Sequence, residues 1–140
     1  MKKFIIFFSL IMILATTVIA ESGFYSQNYI NSLKSCSIFI SKSDIEIPQT
    51  DITPLHMQIT ESISGWKNGK CITNGKIYSK ELKQDILTTH CEFDEKQLSE
   101  VIKDMEKANK GTFEDYKKVQ EKMYSTKNTL CSATDLIKNK

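Results

Sequence analysis

The chain has 140 residues, with 19 lysines, 17 acidic residues and no arginine. This length fits one domain with a modest hydrophobic core. A nearly neutral chain without arginine lacks the basic surface that nucleic-acid binding needs and the bidentate clamp that commonly holds phosphate or carboxylate groups.

Residues 1–20 have the three parts of a secretory signal peptide. Two lysines open the segment, an apolar run follows, and the small residues Val18 and Ala20 precede a cleavage site before Glu21. The apolar run is shorter than the ~20 residues that a membrane-spanning helix needs. We therefore predict an exported protein, periplasmic or secreted, with no stable membrane anchor after signal cleavage.

The predicted signal peptide contains two lysines and no acidic residue. The predicted mature chain, 21–140, therefore carries equal numbers of lysines and acidic residues. A neutral domain exerts no strong electrostatic attraction on nucleic acid, so we expect no nucleic-acid partner. We expect a single disulfide-stapled globular domain, in which 132–140 form a partly ordered tail.

The first elements of the mature chain are a helix and two short strands. Tyr29, Leu33 and Cys36 recur at helical spacing, which predicts a short helix over 24–36 that ends at Cys36. The segments 36–41 and 44–48 have the composition of short strands. The aromatic side chains near the start of this helix are expected to pack in the core, and the alternative is an exposed patch (Phe24, Tyr25 and Tyr29).

A β-hairpin is predicted in the middle of the chain. Apolar and polar residues alternate over 55–66, the pattern of a half-buried strand. Asn68-Gly69 follows and is a strong signal for a two-residue turn, because both residues accept positive φ. This turn would place Trp66 opposite Cys71.

The strict register of this hairpin has two further consequences. It pairs Glu61 with Lys76 as opposite charges across the strands. It also puts Trp66 on the face opposite the neighbouring isoleucines. Either both faces of the sheet are covered, or a bulge near Gly65 resets the alternation.

The rest of the chain predicts a third strand over 85–93 and two helices over 94–110 and 112–128. Asp94 and Thr112 are the predicted N-caps, each followed three residues later by a capping-box partner. The expected fold class is α+β. It has an N-terminal helix, an antiparallel β-meander of three to five strands, and a C-terminal helical hairpin packed on the sheet. The order of a helix followed by a meander resembles cystatin-like folds and small periplasmic inhibitors, in element order alone.

The four cysteines, Cys36, Cys71, Cys91 and Cys131, are predicted to form two disulfides, because an even count in an exported protein is typical of bridges. No C-x-x-C motif is present, so a thioredoxin-type or zinc-ribbon site lacks its signature. Three pairings are possible. We favour Cys71–Cys91, which would join paired strands, together with Cys36–Cys131, which would join the two ends of the domain.

No residue is predicted to be catalytic, to bind a cofactor or to ligate a metal. His90-Cys91-Glu92 places an imidazole, a thiol and a carboxylate next to one another in the sequence. Neighbours on a strand point to opposite faces, however, so His90 and Cys91 should diverge. His56 is the only other histidine, and the paired carboxylates fit a strand and a helix cap (Asp44 and Glu46, Glu114 and Asp115).

At the hairpin tip we expect Trp66 to lie against Cys71 and its disulfide as a structural residue. The alternative is an exposed Trp66 that contacts a partner or a glycan, and it makes Trp66, Lys67 and Asn68 the candidate partner-binding site. We expect a non-enzymatic binding or inhibitor module whose partner is a protein or a component of the cell envelope. The alternatives are a small envelope hydrolase, a thiol-dependent enzyme that uses Cys91 with His90, and a purely structural envelope role.

Overall fold

The computed structural model describes residues 24–47, 54–125 and 130–137. Within these residues the chain forms three helices and a five-stranded antiparallel sheet, which confirms the predicted α+β class. The predicted signal peptide and its cleavage site lie outside the described residues.

The elements follow one another in a simple order. They are α1 (Gln27–Ser35), β1 (Phe39–Ile47), β2 (Leu55–Lys67), β3 (Lys70–Ser79), β4 (Gln84–Phe93), α2 (Glu95–Lys110), α3 (Phe113–Met123) and β5 (Cys131–Asp135). The strands lie in the sheet in the order in which they occur along the chain, and every neighbouring pair is antiparallel.

Helix α1 begins at a capped N-terminus and ends at a cysteine. The Ser26 side chain accepts a hydrogen bond from the backbone N–H of Tyr29 at 3.1 Å. Cys36 follows the helix in the left-handed conformation, with φ of 48°. After this turn the chain forms one continuous strand, β1, where the sequence predicted two short ones. Ser43 lies within the ladder opposite Ile59, so the polar residues between the two predicted segments do not interrupt pairing.

The β2–β3 hairpin has the predicted turn and the predicted bulge. Asn68 and Gly69 have φ of 51° and 73°, and Trp66 lies opposite Cys71. The register then shifts between Ile63 and Gly65, which confirms that a bulge resets the alternation.

The predicted Glu61–Lys76 pair is wrong, because the same bulge moves the register by one residue. Glu61 lies opposite Gly75, and Lys76 lies opposite Thr60. Glu61 and Lys76 therefore point to different faces of the sheet.

The two faces of the sheet have different surroundings. We call the first the helix-covered face, because its residues pack with the helices in the main core, including Ile63, Cys91 and Phe93. A second apolar cluster around Met57, Ile77, Ile86 and Leu87 lies toward the other end of the sheet. We call the second face the open face. Its central residues are polar: Thr60, Ser62, Asn74, Lys76, Thr88, His90, Ser132 and Thr134.

The helical hairpin is confirmed, with a capping box at each helix. The Asp94 carboxylate accepts from the backbone N–H of Gln97 at 2.8 Å, and the Gln97 side chain accepts from Asp94 N–H at 2.9 Å. Thr112 and Asp115 form the same arrangement at α3. Helix α3 ends at Met123, earlier than the predicted residue 128.

The start of the described chain contacts the helical hairpin of α2 and α3 through hydrogen bonds and an aromatic pair. Asn109 exchanges two hydrogen bonds of 2.8 Å with the backbone of Tyr25, and the Gln120 amide donates to the Tyr25 hydroxyl at 2.7 Å. Phe24 stacks on Tyr116 with ring centroids 5.0 Å apart. Phe24 is half-buried and Tyr25 and Tyr29 are buried, so these aromatic residues are part of the core, as predicted.

Two disulfides are present, but the favoured pairing is wrong. The bridges are Cys36–Cys71 and Cys91–Cys131. The register of β3 and β4 places Cys71 opposite Phe93, and Cys91 opposite Thr73, so Cys71 and Cys91 are not neighbours. Cys91 instead lies directly opposite Cys131 of β5.

Strand β5 lies mostly within 132–140, the segment predicted to be a partly ordered tail. Its pairing with β4 explains why this part of the segment has regular structure. Cys91 pairs with Cys131 and Leu87 with Asp135, so Cys131–Asp135 forms the last strand of the sheet. Two disulfides indicate an oxidising environment outside the cytosol. No helix among the described residues is long and apolar enough to span a membrane.

Candidate functional site

The predicted binding residues Trp66, Lys67 and Asn68 lie together at the tip of the β2–β3 hairpin. Lys67 pairs with Lys70, and the two-residue turn closes the strands directly beyond them. Positive φ at Asn68 and Gly69 gives this turn the twist that matches paired strands. We call Trp66, Lys67 and Asn68 the hairpin tip.

The side chains of the hairpin tip are exposed. Trp66 is 48% exposed, although a large aromatic side chain is normally well buried in a folded domain. Lys67 and Asn68 are also exposed, and they add an ammonium group and an amide to the tip. The tip therefore offers one aromatic surface and two hydrogen-bonding side chains.

The base of the tip is held by covalent and backbone constraints. Cys71, directly opposite Trp66, is fully buried and bridged to Cys36 at the end of α1, with Cα atoms 5.9 Å apart. Gly65, in the bulge, has φ of 88°, a conformation that a residue with a side chain rarely adopts. These constraints fix the direction in which Trp66 leaves the sheet.

A chain of polar contacts crosses the open face below the tip. His90 Nδ1 lies 2.8 Å from Asn74 Oδ1, and His90 Nε2 lies 3.0 Å from Glu92 Oε1. The Asn74 amide nitrogen donates to Ser64 Oγ at 3.3 Å. Asn74 and Glu92 therefore orient the imidazole of His90. Local sequence patterns do not predict these contacts.

These residues border a shallow polar trough on the open face. The trough has a volume of about 410 Å³ and is lined by residues of β2, β3, β4 and β5. Its lysine and its histidine each have a carboxylate nearby, since Lys76 lies 3.7 Å from Asp85 and His90 contacts Glu92. The trough therefore has hydrogen-bonding capacity, and the charge of Lys76 is compensated by Asp85.

The predicted divergence of His90 and Cys91 is confirmed. His90 lies on the open face, whereas Cys91 lies on the helix-covered face and is bridged to Cys131. All four cysteines are oxidised, so the thiol that a cysteine-dependent reaction would need is not available in this structure.

The other ionisable pairs singled out in the sequence have ordinary structural partners. Asp44 contacts Lys80 at 2.8 Å, and this ammonium group lowers the pKa of the Asp44 carboxyl. The pKa of Asp115 is lowered because its carboxylate accepts hydrogen bonds from Thr112 in the capping box. No group of three potential metal ligands occurs among the described residues.

His56 lies at the end of the sheet far from the hairpin tip. Its backbone N–H donates to Glu81 Oε1 at 2.8 Å, and its Nδ1 lies 2.9 Å from the same oxygen. These contacts lower the pKa of Glu81. The cluster orders the start of β2 and the turn after β3, at an exposed position.

Glu61 is a residue of chemical interest that the predicted register misplaced. It lies on the helix-covered face, between the main core and the second apolar cluster. Its side chain reaches solvent, but the surrounding protein displaces part of the water and raises the pKa of the carboxyl. The predicted register gave Glu61 a lysine partner, and the bulge, one of the two alternatives that the sequence left open, places Gly75 opposite it instead.

The site therefore combines an exposed tryptophan, anchored next to a disulfide, with a polar face of the sheet. Comparison of the chain with protein families, with curated proteins and with solved structures finds no match.

Proposed function

We propose that this protein is an exported binding module, periplasmic or secreted, that recognises a protein or a component of the cell envelope through the hairpin tip. The observation that carries this proposal is the 48% exposure of Trp66 at a turn anchored by the Cys36–Cys71 bridge. The predicted signal peptide supports export, because its charged, apolar and small-residue regions occur in the required order.

An exposed, pre-oriented tryptophan is well suited to recognition. Tryptophan is enriched among the residues that contribute most to protein–protein affinity, because it buries a large surface on contact. A side chain already held in position loses less conformational freedom on binding. Lys67 and Asn68 supply hydrogen bonds that orient a partner around the ring.

The experiment that tests the proposal is site-specific photo-cross-linking in the cells that export the protein. A photoreactive amino acid replaces Lys67 at the tip, and, as a matched control, Leu82 in the turn after β3. Leu82 is 55% exposed and lies at the opposite end of the sheet, so it reports non-specific contacts. A partner cross-linked from position 67 and absent from position 82 is the expected result.

A second substitution assigns the contact to the indole. Trp66→Ala should abolish cross-linking from position 67, whereas Leu82→Ala should leave it unchanged. Both variants must retain the disulfides and the circular dichroism of the wild type. Equal labelling from positions 67 and 82, or labelling that survives Trp66→Ala in a folded protein, would contradict recognition by the hairpin tip.

A further inference from the structure

Strand β1 forms one edge of the sheet. It has nine residues, and among the described residues no strand pairs with its outer side. An edge strand presents backbone N–H and C=O groups that can pair with another strand. β1 is therefore long enough to accept a full partner strand along its outer side.

The open-face side chains along β1 are exposed and have a distinctive order. Ile40 is 68% exposed and is followed on the same face by Lys42, Asp44 and Glu46, all of them exposed. Lysine on an edge strand commonly prevents non-specific pairing. Here, however, the two charged residues nearest the midpoint of the strand, Lys42 and Asp44, have opposite signs and flank Ser43.

We infer that β1 pairs in antiparallel fashion with β1 of a second copy of this chain, about a two-fold axis through Ser43. This register overlaps the whole strand and places Lys42 of each copy opposite the partner's Asp44. Two oppositely charged cross-strand pairs then stabilise the interface. The result is one continuous sheet across both chains, with the hairpin tips at opposite ends.

The neighbouring registers are disfavoured by the same charges. An axis through residue 42 would bring the two copies of Lys42 face to face. An axis through residue 44 would pair Lys42 with the partner's Glu46 but bring the two copies of Asp44 face to face. Like charges directly opposite each other are destabilising, and both shifts shorten the paired segment. The register through Ser43 has opposite-charge pairs, no like-charge pair and the longest overlap, so it is the favoured closed pairing.

The ionisation of Asp44 is consistent with this pairing. Its contact with Lys80 keeps it a carboxylate, which can accept hydrogen bonds from a second ammonium group. Ile40 would lie opposite the partner's Glu46, whose methylene groups can cover part of the exposed isoleucine.

Analytical ultracentrifugation over a wide range of concentration, up to about 1 mM, tests the inference with the mature oxidised protein. The wild type should form a dimer. Lys42→Glu should weaken dimerisation about tenfold or more, because two attractive pairs become repulsive. The double variant Lys42→Glu with Asp44→Lys should restore it, and Lys103→Glu on the outer face of α2 is the matched charge control.

A wild type that stays monomeric at all concentrations would overturn the inference. So would a dimer that Lys42→Glu leaves unchanged, or one that the double variant fails to restore while circular dichroism shows a native fold. These outcomes are independent of the hairpin tip, since Trp66→Ala should not alter the dimer.

A cross-linking variant checks the position of the axis. Paired residues in an antiparallel ladder have Cα atoms about 4.5–5.5 Å apart, within the range for a disulfide. Ser43→Cys should therefore form an intermolecular bridge on mild oxidation, whereas Ser37→Cys, exposed and outside β1, should not. Equal bridging by both variants would show random collision and contradict the register.

Discussion

Glu61 shows how one carboxylate responds to its place on the sheet. Burial raises the pKa values of three buried tyrosines and one partly buried tyrosine, and the nearby charge of Glu61 raises them further (Tyr25, Tyr29 and Tyr116, and Tyr124). No cation pairs with Glu61 among the described residues. Displacement of water without a compensating cation favours the protonated form of this side chain.

The raised pKa of Glu61 predicts a pH-dependent loss of stability. A carboxyl whose pKa is higher in the folded than in the unfolded chain stabilises fully below its ordinary pKa of about 4.3 and loses this contribution as pH rises through the folded-state value. Glu61→Gln should therefore gain stability over the wild type as pH rises, by less than about 1 kcal/mol because solvent screens the group.

Urea unfolding of both proteins between about pH 3 and pH 7 measures this difference. Glu100→Gln on the exposed side of α2 serves as the control for loss of a surface charge. A stability difference between Glu61→Gln and wild type that does not change with pH would contradict the proposed environment of Glu61.

The same position shows why the residues of the site could be predicted only in part. Asn68-Gly69 identifies the tip from adjacent residues, because the turn depends on local backbone conformation. The exposure of Trp66 and the surroundings of Glu61 depend on one bulge, and the sequence allowed two solutions at Gly65. The contacts of His90 with Asn74 join different strands, so no local pattern indicates them.

At the scale of elements, the helix ends are the best-defined local features. The capping box of α2 satisfies two N–H groups that would otherwise lack a partner. Asp94→Ala should lower the free energy of unfolding by about 1 kcal/mol. Urea unfolding measures the loss, and Glu95→Ala, one residue later and outside the box, should cost less than about 0.5 kcal/mol. Equal losses in the two variants would show that the box does not stabilise α2.

The helices and the hairpin could be predicted because caps and turns depend on a few adjacent residues. The strands were harder. β1 was expected as two pieces, since Ser41, Lys42 and Ser43 interrupt the apolar pattern, yet pairing with β2 carries the strand through them. β5 has five residues and little apolar alternation, so only its pairing with β4 and the Cys91–Cys131 bridge identify it.

At the scale of the whole molecule, the two disulfides join distant parts of the chain. Cys36–Cys71 connects the end of α1 to the hairpin, and Cys91–Cys131 connects β4 to the last strand, with sequence separations of 35 and 40 residues. An even number of cysteines in a chain predicted to be exported indicated two bridges. Their pairing depends on the register of β3 and β4, which differs by two residues from the predicted register.

Removal of either bridge should destabilise the fold by a similar amount. Loops of these lengths correspond to about 4 kcal/mol each in the chain-entropy description. We expect urea unfolding to show comparable losses for Cys36→Ser with Cys71→Ser and for Cys91→Ser with Cys131→Ser. Only the first pair should also reduce cross-linking at the hairpin tip under conditions where both variants are folded. Equal reduction by both pairs would contradict a specific role for Cys36–Cys71 in holding the tip.

We propose that the mature protein is exported and that these two bridges hold its fold and its hairpin tip. Mass spectrometry of the protein recovered from the producing cells, digested without reduction, tests this claim most directly. The predicted result is an N-terminus at Glu21 with peptides joined through Cys36–Cys71 and Cys91–Cys131. An N-terminus at Met1, free thiols, or bridges between other cysteines would contradict it.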